Sequence, residues 1–365
     1  MKKLLILSNG HGEDLVAAEL IRNLRLNAAV PEIEIDIFPL VGDGKAFKNL
    51  PIKLIGPLKN FPSGGFSVRN IFALPKDLFS GYFQNLHEQY LTLKKIKGNY
   101  DLSIGIGDLI PLLSAIIVGC PFIFIGVNKT DYYHSFGYSY TPWEKWLLKK
   151  SKLTFTRDKL TASNLESAGI KALHAGNPLM DCILTPPSQS SGTPLHEMER
   201  GNKGMRIGFL PGSREKDIPL NIQDFSLIAQ ELMKFDKHFE FLIATDADVP
   251  LDFIKAPFAE VLARSDVMVG LSGTGNEQAA GFGKPVVAFP GRGSQYTSRF
   301  AKAQKQLLSE ALCLTKRNPV KVAEEVWSIL NDHGRYEYMS HVGQERMGKP
   351  GAIDKIVQYV LEALK

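Results

Sequence analysis

The chain has 365 residues, 44% of them hydrophobic and 22% charged. That balance excludes a disordered or fibrous polypeptide and is enough for two medium domains, each with its own core. A net charge of +5 fits an anionic ligand or a membrane surface. With no nucleic-acid-binding module signature beside it, nucleic acid is not expected as a partner. The three cysteines, Cys120, Cys182 and Cys313, form neither a zinc pattern nor a disulfide framework, which points to a reducing, cytoplasmic compartment.

In chain order, the apolar start resembles a signal peptide only briefly. It stops at Ser8-Asn9-Gly10-His11 without a small-residue cleavage site, so Leu4–Leu7 reads as a first strand. Residues 13–26 follow with Leu15, Ala18, Ile21 and Leu24 at helical spacing. Ile33–Phe38 alternates like a strand, and Leu102–Ile106 and Phe122–Ile125 are apolar runs of strand length. This is the rhythm of a parallel sheet with crossover helices. It lapses from 177 to 204, where Pro186, Pro187, Ser188, Ser190, Ser191, Gly192 and Pro194 cluster as in a linker. It restarts with Arg206–Leu210, Phe239–Ala244, Val267–Val269 and Pro285–Phe289. Two similar α/β halves result, and no run is long enough to span a bilayer. Ligands of such domains sit at the carboxyl ends of the strands.

Four loops occupy those positions. Ser8–Asp14 offers glycines for close backbone approach, and His11, which can act as a base, bind a phosphate or be only a turn residue. Gly105-Ile-Gly-Asp-Leu-Ile-Pro111 carries Asp108, either a base or the cap of the next helix. Leu210-Pro-Gly-Ser-Arg214 offers backbone and hydroxyl donors from Gly212 and Ser213 and a planar fork from Arg214, all suited to phosphate. Gly270–Lys284 is the most informative. Gly273 and Gly275 permit a tight turn, the helix start near Asn276 aims N–H groups at a phosphate, and Glu277 is placed for a ribose diol.

Together these loops resemble the GT-B glycosyltransferases, in particular lipid-A-disaccharide synthase and its relatives. The match runs in order through Asn9-Gly-His-Gly-Glu-Asp14, Gly105-Ile-Gly-Asp-Leu109, Gly176-Asn-Pro-Leu-Met-Asp181, Leu210-Pro-Gly-Ser-Arg214, Ser272-Gly-Thr-Gly-Asn-Glu277 and Arg346-Met-Gly-Lys-Pro-Gly-Ala352. Looser matches exist to the enzyme that adds N-acetylglucosamine to the lipid-linked peptidoglycan precursor and to UDP-N-acetylglucosamine 2-epimerase. The resemblance implies an α/β GT-B fold, two Rossmann-like parallel-sheet domains facing across a cleft. Residues 1–180 would bind the acceptor, 181–204 form the linker, 205–350 bind the nucleotide sugar, and 351–365 cross back to the first domain. It assigns Gly212, Ser213, Arg214, Ser272, Gly273, Thr274 and Gly275 to the diphosphate and Glu277, with Gln278 beside it, to the ribose. Arg292, Gln295 and Tyr296 are further sugar or phosphate contacts, and Asn9, Gly10, Gly12 and Glu13 lie on the acceptor side. The first loop and the Asp108 loop depart from the synthase's own patterns, Gly-Glu-x-Ser-Gly-Asp and Asp-Ala-Pro-Asp. The donor half is therefore the better matched.

The expected activity is inverting, metal-independent and cofactor-free transfer of a hexose or N-acetylhexosamine from a UDP-sugar to a lipid or lipid-linked acceptor. Asp108, or else His11, would serve as the base. The alternatives are an epimerase on the same scaffold and a nucleotide-sugar-binding protein without catalysis. Residues 61–97 and 132–150 are rich in aromatics and lysines. Trp143, Trp146, Leu147 and Leu148 beside Lys145, Lys149 and Lys150 suit either peripheral contact with the cytoplasmic membrane or packing on the core.

Overall fold

The computed structural model describes residues 1–26, 33–42, 44–58, 82–133, 139–183, 204–250 and 252–365. The chain divides into two compact units, Met1–Cys182 with Pro350–Lys365, and Ile183–Lys349. Residues 184–203, most of the expected linker, lie outside the described residues.

The first unit begins with strand β1 (Lys2–Ser8) and helix α1 (His11–Leu26), followed by β2 (Ile33–Pro39) and β3 (Lys53–Leu54). Helix α2 (Tyr82–Lys95) leads to β4 (Leu102–Ile106), α3 (Leu109–Val118) and β5 (Phe122–Gly126). Then come α4 (Pro142–Leu148), β6 (Leu153–Thr156), α5 (Lys159–Ser167) and β7 (Ala172–Leu173). The strands form a seven-stranded sheet in the order β3-β2-β1-β4-β5-β6-β7, and every pairing is parallel. Because helices cover both faces, the central strands β4 and β5 are buried throughout rather than on alternate residues, while the edge strand β3 is exposed. Leu4 and Ile6 pack with α1, while Leu5 and Leu7 pack with Leu112 and Ala115 of α3 and Leu148 of α4. In α1 the buried stripe is Val16, Ala17, Leu20, Ile21 and Leu24, and Leu15, expected on it, is exposed.

The second unit has β8 (Arg206–Leu210), α6 (Ile218–Leu232), β9 (Glu240–Ile243), β10 (Phe253–Lys255), α7 (Phe258–Arg264) and β11 (Val267–Gly270). It continues with α8 (Thr274–Gly281), β12 (Val286–Ala288), α9 (Ser298–Leu308), β13 (Leu312–Leu314), α10 (Pro319–Asn331) and α11 (His333–Met347). Its six strands run parallel in the order β10-β9-β8-β11-β12-β13. Phe209 on β8 anchors an aromatic core with Phe225, Phe241 and Phe253.

Helix α12 (Ala352–Leu364) belongs to the first unit. Ile353, Ile356, Val357 and Val360 are buried with α1 and β1. The Gly176–Asp181 segment explains how it is held. A side chain at Gly176 would meet Ala352 Cβ at 2.9 Å, and the Asp181 carboxylate accepts from the backbone N–H groups of Gly351 and Ile353 at the helix start. Asn177 Oδ1 accepts from Leu179 N at 3.2 Å, closing the turn between them. This distinctive stretch of sequence is thus a clamp for α12.

Candidate functional site

Each sheet reverses its strand order once, between β1 and β4 in the first unit and between β8 and β11 in the second. Loops leaving the carboxyl ends of such strand pairs diverge and open a crevice, the usual place for a ligand in open α/β sheets. The four loops singled out by sequence leave these four strands.

In the second unit, the β8 and β11 loops are joined by the hydrogen bond from Leu271 N to Leu210 O, 2.8 Å. The Gln295 carboxamide comes in from the loop after β12. Its Oε1 accepts from Ser213 N at 3.2 Å and Arg214 N at 3.3 Å, and its Nε2 donates to Ser213 Oγ at 3.2 Å. Arg214 donates to Ser294 Oγ at 2.7 Å, and Gln295 N donates to the buried Asp217 at 2.9 Å. The turn into α8 is shaped from beneath by Gln304 of α9. Its Nε2 donates to Gly273 O at 2.7 Å and Ser272 O at 3.4 Å, while its Oε1 accepts from Asn276 Nδ2 at 2.9 Å and the Tyr296 hydroxyl at 2.6 Å. With the carbonyls of the turn held by Gln304, the positive end of α8 stands at the strand reversal, the polarity a phosphate requires.

Several expectations change here. Gly273 and Gly275 do not adopt positive φ. What excludes a side chain at Gly275 is space, because a Cβ there would lie 2.8 Å from Ser272 Oγ, which itself accepts from Gly275 N at 3.2 Å. Arg292 is engaged structurally: its guanidinium holds the Asp224 carboxylate at 2.6 and 3.2 Å and reaches Leu220 O. Tyr296 is buried against Gln304, as a support of the loop. Glu277 and Gln278 are buried in α8, just behind the turn with Thr274.

In the first unit, the β1 and β4 loops bring carboxylates together. Asp108 caps α3, its Oδ1 accepting from Ile110 N at 3.2 Å, and it also accepts from Asn9 Nδ2 at 2.9 Å. Glu13, in the first turn of α1 next to Gly12, accepts a hydrogen bond from Asn128 Nδ2. Asp14 is buried and accepts from Ser8 Oγ at 2.5 Å. Burial first, and the charge of Asp108 next, push the Glu13 carboxyl up to about 7, against the opposing pull of the Asn128 bond. Gly10 lies at the same carboxyl. The side chain of His11 lies outside the described residues.

Sequence reasoning missed Asn128 and Gln304. Asn128 stands just after β5, so the strand-end rule applied to Phe122–Ile125 would have found it. Gln304 carries no signal in sequence.

Of the membrane-type surface, residues 61–81 and 134–138 lie outside the described residues. Trp143 and Trp146 are 48% and 61% exposed, and Lys150 Nζ sits 4.4 Å above the Trp146 ring. Leu147 and Leu148 are core residues instead, because α4 turns them toward α3. Beside them, the partly buried positions of α3, Leu109, Ile110, Leu113, Ile116 and Ile117, are all apolar. Among the described residues no helix is long and apolar enough to cross a membrane.

No family model matches the sequence, and no curated protein matches it. Solved structures do. The chain is similar to the UDP-GlcNAc 2-epimerase from Neisseria meningitidis bound to UDP-GlcNAc, with TM-score 0.60 and 16% identity, covering 99% of this chain and 100% of that one. It is similar to the calicheamicin glycosyltransferase CalG4, with TM-score 0.63 and 15% identity, covering 100% and 98%. It is also similar to MurG from Acinetobacter baumannii, with TM-score 0.59 and 14% identity, covering 99% and 100%. The shared property is the fold. The chain has the GT-B architecture of two Rossmann-like parallel-sheet domains.

Proposed function

We propose that the chain is a glycosyltransferase that moves a sugar from a UDP-sugar to a lipid or lipid-linked acceptor, inverting the sugar carbon without a metal ion. The observation that carries the donor side is the pair of loops at the strand reversal of the second unit, one with its carbonyls held by Gln304 and the other with its Ser213 and Arg214 N–H groups held by Gln295. The start of α8 at Thr274, with Arg214, takes the charge of the departing diphosphate. Glu277, and Gln278 behind it, serve the ribose side of the donor. A neighbour of this fold bound to UDP-GlcNAc supports the nucleotide.

The acceptor reading rests on the first unit. Asn9, Glu13 and Asp108 cluster at its own strand reversal, and Asp108, the base expected from sequence with His11 second, opens the apolar helix α3. A lipid-linked hydroxyl fits that neighbourhood, with Trp143, Trp146 and Lys150 resting at the bilayer interface.

The epimerase neighbours favour a second reading, inversion of the free UDP-sugar without lipid. Labelled UDP-sugars incubated with and without total membrane lipid, in excess chelator, separate the two. A lipid-extractable labelled product that forms only with lipid and survives the chelator supports transfer. A C2-epimerised nucleotide sugar formed without lipid supports epimerisation. Loss of the lipid product in chelator, restored by magnesium, would remove metal independence.

A further inference from the structure

Resting on the transfer reading, we propose that Glu13 is the carboxylate that takes the acceptor proton, and that Asp108 is the fixed charge that holds it ready. Two carboxylates share the strand reversal of the first unit, and their surroundings differ. Asp108 has a backbone N–H from its own helix start and the Asn9 amide on one oxygen. That is the environment of a helix cap, in which the charge is already satisfied. Glu13 is 7% exposed, with the amide of Asn128 on Oε1 and its own backbone N–H as donors.

The carboxyl head of Glu13 is approached by glycines from both loops. A Cβ at Gly107 would lie 3.1 Å from Glu13 Cγ and 3.5 Å from Oε1, and one at Gly10 would lie 3.4 Å from Oε2. Both glycines have positive φ, 130° at Gly107 and 118° at Gly10, a conformation that disfavours any side chain. Glycine backbone from both loops therefore lines the carboxyl at the carboxyl-terminal edge of the sheet, the edge at which the acceptor is expected.

Among the described residues, the charged groups that act on Glu13 are Asp108 from the β4–α3 turn and Asp14 from its own helix turn, and both disfavour its ionised form. The result is a carboxylate whose proton affinity matches neutral pH, the condition under which a general base is most effective. In the step, the acceptor oxygen forms the new bond to the sugar carbon as the bond to the diphosphate oxygen breaks. UDP leaves with that electron pair, and the hydroxyl proton passes to Glu13, which returns it to solvent. Asn128 is a positioning residue that sets the direction of the carboxyl.

The full chain, with carboxyl-labelled glutamate, is titrated by NMR and assayed with UDP-sugar and membrane lipid over the same pH range. One glutamate is expected to titrate near neutrality, to vanish in Glu13→Gln and to move to lower pH in Asp108→Asn. Wild-type turnover is expected to fall on the acid side of the same midpoint. Glu13→Gln is expected to lose about 100-fold or more in turnover at unchanged UDP affinity. Asp108→Asn, which keeps the cap, should displace the acid limb of the turnover profile downward together with the Glu13 titration. Near-normal turnover in Glu13→Gln overturns the proposal, and so does loss of turnover in Asp108→Asn with the Glu13 titration unmoved. A wild-type chain that titrates as described but turns over no UDP-sugar rejects the transfer reading, and the role of Glu13 with it.

Discussion

Glu277 and Arg214 probe different parts of one ligand. Loss of the Glu277 carboxylate should weaken UDP binding by about 1–3 kcal/mol, the scale of a hydrogen bond to a charged group. Calorimetry on folded Glu277→Ala that gives unchanged UDP affinity would take this residue out of the site. Arg214→Ala should weaken UDP more than uridine, because its proposed partner is a phosphate; equal losses would contradict that. Glu13 leaves a mark on stability as well as on turnover. In the unfolded chain it titrates near 4.5, and in the folded protein it is pushed up to about 7. Between those values the folded state holds a proton that the unfolded state has released. Its contribution is therefore full below pH 4.5 and is lost as pH rises toward 7. Melting curves should show Glu13→Gln gaining on the wild type by a few kcal/mol across that window. Parallel pH profiles for the two proteins would show that the buried proton is absent.

At the level of elements, the turn into α8 is only as well defined as its supports. Gln304→Glu keeps the acceptor for Asn276 and Tyr296 but cannot donate to Gly273 O. The variant should fold, bind uridine nearly as before and lose UDP affinity about tenfold, the loss of one hydrogen-bond partner. A uniform loss of both ligands would make Gln304 a packing residue. This distinction also shows what the sequence could reveal. Strand ends were legible, since runs such as Val267–Val269 stop at glycines, and the loops after them follow from topology. The supports were not. Gln304 is one polar residue among several on α9, and only the fold turns it toward Gly273. Arg292 reads as a sugar or phosphate contact in sequence, and nothing local announces its ion pair with Asp224, 68 residues earlier. Leu147 and Leu148 looked like part of a lipid-facing surface because a basic, aromatic helix reads the same whether its leucines face a bilayer or a core.

At the scale of the molecule, the first unit contains residues from both ends of its numbering. Ile353, Ile356, Val357, Val360 and Leu364 bury their side chains beside α1 and β1. At about 1.5–3 kcal/mol for each buried aliphatic side chain, α12 contributes as much as the net stability of a typical domain. Deleting residues 350–365 should therefore unfold the first unit and leave residues 204–349 folded. Hydrogen exchange that finds β1 and β4 still protected after the deletion would show that the sheet stands without it. The arrangement also has a consequence for biosynthesis. β1 and α1 are made before the second unit, yet the core they share with Ile353, Ile356, Val357 and Val360 is completed only when residue 352 and beyond emerge. The nascent chain must carry that unfinished surface through most of its own translation. Chaperone occupancy on ribosome-bound intermediates should accordingly begin with the first unit and end only when α12 is released.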